Sequence, residues 1–289
     1  MDAKILITGA TGISGENTIE RLLQLQEPVR AMVRKADSRT DALAGRGVEI
    51  VEGDMSDFDS VSAALKGIEY AYFTYPVHLA GLLEASAYFA QAALEENVSL
   101  IVNLSHRSAR RMARSRSSRD HWFAERIFDR SGVPVTHLRP TLFSEWLAFF
   151  SDEIKTRSRL AFPFKNTFYA PLAGEDIGRV IASILLNPEG HKGQIYPLFG
   201  PVELSHFEMA DILSATLNRT IHFETVDEPE FISVMERARC TPHFIRHMCA
   251  MTYDIQDGML SGTSDWVERI TGRKPMSLKD FVKKNSNLF

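Results

Sequence analysis

A chain of 289 residues with 44% apolar side chains is long enough for one large α/β domain, alone or with a smaller one beside it. Its net charge of −4 excludes a molecule built as a whole to bind polyanions. No apolar run approaches the roughly 20 residues needed to cross a bilayer. Asp2 and Lys4 lead straight into an apolar strand pattern, which predicts no secretory leader. Cys240 and Cys249 show neither metal-ligand nor CxxC spacing, so no metal site is expected. Two reduced thiols in a cytoplasmic protein is the expectation, and a Cys240–Cys249 pair is the alternative.

The first element is Ile5-Leu6-Ile7, a short branched run stopped by glycine, which predicts a buried parallel strand. Gly9, Gly12 and Gly15 follow at intervals of three, and Glu16 to Gln24 carries Ile19, Leu22 and Leu23 at helical spacing. Strand, glycine turn and helix start together predict a phosphate cradle. Glycine lets the backbone approach a pyrophosphate, and the N–H groups and dipole of the helix start attract the anion. The spacing is GxxGxxG rather than GxGxxG, and a turn that binds nothing is the alternative.

Val29 to Val33 reads as a second strand ending in Arg34-Lys35, with Arg39 nearby. An acid at this place would hold the ribose 2′-hydroxyl of NAD, whereas an arginine fork suits a 2′-phosphate, so NADPH is expected over NADH. The alternative is a solvated basic loop. A short helix closing over Leu43 to Gly47 precedes a third strand, Val48 to Val51, and then Asp54 and Met55, placed where an adenine would lie. Phe58 to Lys66 is a helix, Ile68 to Thr74 a fourth strand stopped at Tyr75-Pro76, Gly81 to Glu96 a helix, and Leu100 to Leu104 a fifth strand. This alternation predicts a doubly wound parallel sheet with ligand along its carboxyl edge.

His106 to Arg119 carries six arginines in 14 residues and almost no apolar spacing. A solvated, mobile charged loop is expected. A lid over an anionic ligand, or a patch for nucleic acid or acidic protein, are the alternatives, nucleic acid being disfavoured because no aromatics interleave the arginines. A helix over Asp120 to Arg130, with Phe123, Ile127 and Phe128 inward, leads to a sixth strand, Val135 to Pro140. Phe143, Trp146, Phe149 and Phe150 line an apolar pocket or pack as core. Phe162 to Pro171 reads as extended, Glu175 to Leu186 as a helix, Gly193 to Phe199 as the last sheet strand, and Ser205-x-x-Glu208 as a capping box. The remainder, a short strand at Ile221 to Val226 and further helices, breaks the alternation. The predicted division is 1–150 with 173–200 as a Rossmann domain, and 151–172 with 201–289 as a small α+β substrate domain.

GATGISG after the first strand, Val33-Arg34 after the second, VEGDMSD after the third and HWFAERIFDRSGVPVTHLRP further on resemble the NmrA-like family of atypical short-chain dehydrogenase/reductases. The resemblance implies an NADP-binding Rossmann domain, and activities ranging from quinone and isoflavone-type reductases to NADP-sensing regulators. It implies that Gly9, Thr11, Gly12, Ile13 and Gly15 hold the pyrophosphate and Arg34 the 2′-phosphate. Asp54 and Met55 would lie near the adenine, and Thr74, Tyr75 and Pro76 beside the nicotinamide ribose, with Asn103 and Ser105 beyond. The chain departs from the wider pattern in lacking Tyr-x-x-x-Lys: no tyrosine falls between Tyr88 and Tyr169. Where isoflavone-reductase-like members carry a lysine, this chain carries His121, as quinone-reductase-like members do. His121 is therefore expected to touch the ribose or donate a proton near neutral pH, a solvent-facing helix residue being the alternative. The functional expectation is an NADPH-dependent reductase of a quinone or conjugated carbonyl, with an apolar or aromatic small molecule as substrate. The rival is a non-catalytic NADP-binding sensor acting through a protein partner, and a homodimer is a further option.

Overall fold

A computed structural model of the chain describes residues 3–164 and 167–289. Asp2, and residues 165 and 166 of the stretch expected to be extended, lie outside the described residues. β1 (Ile5–Ile7) runs through the glycine turn into α1 (Ile13–Gln24). The alternation continues with β2 (Val29–Val33), α2 (Ser38–Ala44), β3 (Glu49–Glu52), α3 (Phe58–Leu65), β4 (Tyr70–Phe73), α4 (Leu82–Glu95), β5 (Leu100–Leu104), α5 (Arg116–Asp129) and β6 (Val135–Pro140). A 3-10 helix (Ser144–Phe150) and α6 (Ser151–Arg157) lead to β7 (Arg159–Phe162) and β8 (Phe168–Tyr169), before α7 (Gly174–Leu186) and β9 (Ile195–Leu198). There follow β10 (Leu204–Ser205), α8 (His206–Leu217), β11 (His222–Thr225), α9 (Glu228–Arg237), α10 (Pro242–Gln256), α11 (Trp266–Thr271) and α12 (Leu278–Lys284). None of the described helices is long and apolar enough to cross a membrane.

Seven strands form one parallel sheet in the order β3-β2-β1-β4-β5-β6-β9, so the fold is a doubly wound Rossmann sheet. The direction of winding reverses between β1 and β4, the place where doubly wound sheets take a ligand at their carboxyl edge. Both faces are covered, which is why β1 reads as an unbroken apolar run. Ile5 and Ile7 pack under α1 and α7 on one face, and Leu6 packs with Phe73, Phe89 and Phe128 on the other. A separate core around Phe150, Phe162, Met209, Phe231, Met248 and Phe281 gathers the other elements, with β7 pairing β11 and β8 pairing β10. Buried Arg159 ties this group together through Glu153 (2.7 Å), Glu224 (2.8 Å) and Glu230 (2.7 Å). α11 lies apart from it: Val267 is buried against the sheet-side core, and the Trp266 ring sits 4.8 Å from that of Tyr196 on β9.

Two expectations need correction. The arginine-rich stretch is not a free loop. Ser108, Ala109, Ala113, Ser115 and Ser118 are buried, and Ser115 Oγ accepts from Ser118 N (3.4 Å), starting α5 at Arg116 rather than Asp120. The inner face of α5 accordingly consists of His121, Ala124, Glu125 and Phe128, while Phe123 stands 47% exposed.

Candidate functional site

The turn after β1 has no room for a side chain at Gly9 or Gly15. Gly9 has φ +58°, and a Cβ there would meet Thr74 Cγ2 at 2.5 Å. A Cβ on Gly15 would fall 2.2 Å from the Gly9 carbonyl oxygen. Gly12 N donates to that same oxygen (2.9 Å) and precedes α1 with no side-chain cap, so the leading N–H groups of the helix remain available beside half-buried Thr11 and Ile13. The turn is pinned from β4. Thr74 N donates to Thr8 Oγ1 (2.9 Å), and Tyr72 OH donates to Ser14 Oγ (2.8 Å). Behind it, α7 presses on α1: a Cβ on Gly178 would come within 2.5 Å of Asn17 C, and one on Gly174 within 2.4 Å of Ile13 Cγ2.

Arg34 follows β2 directly, is exposed, and enters no ion pair among the described residues. Arg39 is engaged elsewhere: its guanidinium meets Asp37 (2.6 Å) and holds that carboxyl below the usual range, while Asp37 caps α2. Asp54 stands on the same edge. Ser56 donates to it from N (2.9 Å) and Oγ (2.7 Å), and these bonds, with the charge of Arg34, hold its carboxyl low. Met55, like Val51 and Phe58, is partly buried against the core on the Leu6 face of the sheet. Thr74, Tyr75 and Pro76 are half-buried after β4, and Tyr75 OH donates to Ala80 O (2.8 Å).

The side chains of Asn103 and Ser105 are taken up by neighbouring elements. Asn103 Nδ2 donates to His137 Nδ1 (2.9 Å), and His137 Nε2 meets Asp129 Oδ1 (3.0 Å). Ser105 Oγ donates to Glu125 Oε1 (2.6 Å), whose carboxylate grips Arg139 at 2.8 and 2.5 Å. Burial works against the charge of Glu125, but Arg139 and Ser105 outweigh it and hold the carboxyl below its ordinary value. A buried carboxylate is tolerated only with such partners, so Glu125→Gln should lower stability by about 2 kcal/mol, measured by denaturant unfolding. An unchanged midpoint would mean that the pair contributes nothing.

Sequence reasoning did not find a cluster of three imidazoles. His121 is 8% exposed and stacks on His106 with ring centres 5.7 Å apart. His247 of α10 meets His106 edge-on at 6.0 Å. Ser108 N donates to His106 Nδ1 (3.1 Å), so in the neutral ring the proton sits on Nε2. Ser108 Oγ lies 2.8 Å from both His106 Nδ1 and Ser118 Oγ, and Ser118 Oγ donates to Asp254 Oδ2 (3.0 Å). Arg110, expected to be solvated, meets Asp254 at 2.8 Å. Burial pushes His121 down to about 4 and His247 to about 3, and holds His106 well below the usual range. His121 therefore differs from the expectation in being neutral near pH 7: it offers a ring N–H, not an imidazolium.

The aromatic run after β6 does both things expected of it. Phe143, Trp146 and Phe150 line an apolar pocket with Phe162, Tyr169 and Met248, and Phe149 packs on Phe244 (5.2 Å).

The sequence profile of the NmrA-like family matches residues 1–275. The NAD(P)H azoreductase of Xenophilus azovorans is 25% identical over 287 residues, covering 99% of each chain. The NADPH-dependent quinone oxidoreductase QOR2 of Escherichia coli, solved with NADPH, superposes with a TM-score of 0.87 at 21% identity, over 98% of this chain and 100% of that one. The triphenylmethane reductase of Citrobacter sp., solved with NADP(H), gives 0.84 at 24% identity, over 97% and 99%.

Proposed function

The chain belongs to the NmrA-like family, and on that premise we propose that it is an NADPH-dependent reductase of a quinone or similarly conjugated small molecule. The observation that carries the reading is the glycine turn, where Gly15 lies so close to Gly9 that a Cβ would fall 2.2 Å from its carbonyl oxygen. The donors there fit a dinucleotide pyrophosphate: uncapped N–H groups at a helix start, with Thr11, Gly12 and Ile13 around them. Arg34 would hold the 2′-phosphate, Asp54 and Met55 would border the adenine, and Thr74, Tyr75 and Pro76 would lie along the nicotinamide ribose. Bound NADPH supplies the hydride. The names of the azoreductase, the quinone oxidoreductase and the triphenylmethane reductase support a reduction of conjugated acceptors.

In this reading His121 orients the acceptor and donates a hydrogen bond from its neutral ring. His106, with its proton on Nε2, stands beside it as a second donor. A neutral donor suffices when hydride arrival produces a delocalised anion, as at a quinone, and suffices less well at an isolated ketone. The apolar pocket lined by Phe143, Trp146, Phe150 and Met248 suits an aromatic group of the acceptor.

Incubation of the purified chain with NADPH and a panel of quinones and azo compounds tests the proposal through the loss of NADPH absorbance. Retention of NADP with no turnover across the panel would favour the sensor. Arg34→Ala is expected to reduce the preference for NADP over NAD by roughly ten- to a hundredfold, the worth of a charge-assisted hydrogen-bond pair. An unchanged preference would remove Arg34 from the 2′-phosphate site.

A further inference from the structure

Next to the proposed site lies a cation with no counter-ion among the described residues. Arg107 lies on the segment after β5, and its backbone N donates to Pro140 O (3.0 Å), which joins that segment to the end of β6. Its guanidinium lies over the ring of buried Phe199, 5.4 Å from the centroid, just past the end of β9. Nε of Arg107 is buried and has no hydrogen-bond partner, and the residue enters no ion pair among the described residues. Its cationic neighbour, Arg139, is already neutralised by Glu125. Burial and the charge of Arg139 both disfavour the cation at Arg107. One residue beyond Pro140, Thr141 is 4% exposed and its Oγ1 is likewise buried without a partner. Buried donors are ordinarily satisfied, and a half-buried guanidinium is ordinarily paired. Two such groups, on segments joined by that backbone bond at the carboxyl edge of a doubly wound sheet, point to a ligand group that accepts hydrogen bonds and carries negative charge.

The phosphates of the dinucleotide do not meet this need. The glycine turn follows β1 and Arg34 follows β2, whereas Thr141 follows β6, three strands from β1 in the sheet. At about 4.8 Å per strand the separation is roughly 14 Å, so the anion must come from the other reactant.

We propose that Arg107 and Thr141 form an oxyanion-binding subsite, and that the acceptor reduced by this protein is an aromatic molecule bearing a sulfonate, carboxylate or similar anionic group. This rests on the reductase reading for the word acceptor, but the subsite can be measured without turnover. The experiment is a calorimetric titration of the chain, with and without NADP, using naphthalene-2-sulfonate and its neutral counterpart naphthalene-2-sulfonamide. The sulfonate is expected to bind at least about tenfold tighter, the worth of one charge-assisted hydrogen bond. Arg107→Ala should abolish that preference, Arg107→Lys should retain part of it, and Thr141→Val should reduce it several-fold while keeping the side chain's shape. Equal affinity of the two probes for the wild-type chain overturns the inference, as does a preference that survives Arg107→Ala. Sulfonate bound through Arg107 by a chain that retains no NADP would sink the reductase reading and leave the subsite standing. NADP retained without sulfonate preference would do the reverse.

Discussion

Gly15→Ala is expected to lower NADP affinity by at least about a hundredfold and stability by about 3 kcal/mol. The added carbon would meet backbone, with Gly9 O at 2.2 Å, Gly9 C at 2.7 Å and Ala10 Cα at 3.0 Å. No side-chain rotation relieves such a contact, so the start of α1 must move off the turn, and the N–H groups proposed to hold the pyrophosphate move with it. Gly12→Ala is the internal control. Its φ of −96° suits any residue, and its Cβ would meet only Gly9 O, at 3.3 Å, so the loss of stability should be well below that of Gly15→Ala. Calorimetry with NADP and urea unfolding of both variants measure the two effects. Full NADP affinity in Gly15→Ala would refute the proposed cradle.

Acidification from pH 7.5 to 5.5 should remove on the order of 4 kcal/mol of stability through His121, His247 and His206, imidazoles that the fold keeps neutral. His121, His247 and His206 titrate at about 4, 3 and 3 in the folded chain because they are buried, and His106 well below its ordinary 6.5 for the same reason, reinforced by His121, His247 and Arg110. Unfolded histidine titrates near 6.5, so the unfolded chain binds the extra protons. Stability is therefore complete above about pH 6.5 and falls as pH drops towards the folded values, by about 1.4 kcal/mol per histidine over these two units. Carboxylates whose values the fold lowers, such as Glu125, add a loss of the same sign only in more acid solution. His206 provides the dissecting variant. It sits between Phe162, Phe164, Tyr169 and Phe223 with both ring nitrogens buried and unpartnered. His206→Phe should stabilise the chain by about 1–2 kcal/mol at pH 5.5 and flatten the profile by one proton. A wild-type unfolding midpoint that is flat across this range would refute the argument.

What the sequence revealed and what it concealed have separate physical causes. A strand buried on both faces and a helix with one apolar stripe are local patterns, and Ile5–Ile7, Val29–Val33, Leu100–Leu104 and Val135–Pro140 are read at their observed bounds. The Ser205 capping box is local too, and both of its bonds are present. The arginine-rich stretch carries no such pattern, because its burial is not apolar. It is anchored through small residues and through Asp254, which lies 144 residues from Arg110. The imidazole cluster was invisible for the same reason, since His247 arrives on α10 and no spacing relates it to His106 and His121. The aromatic character of Phe123 favours an inward position, yet the register set by Ser115 turns it outward and gives the interior to His121 and Glu125. Arg107 and Thr141 carry no motif, and only their lack of partners distinguishes them.

The contact of α7 with α1 bears on how much of this chain is self-sufficient. The helix that opens the nucleotide turn is braced by Gly174 and Gly178, more than 150 residues downstream, and Leu172, Ile177 and Ile181 complete the apolar layer beneath it. A fragment ending near residue 150 would retain every residue of the glycine turn and still leave one flank of its first helix bare. The packing of the first helix thus depends on a helix that the chain supplies only after a long excursion, and removal of Gly174–Leu186 is expected to uncover it.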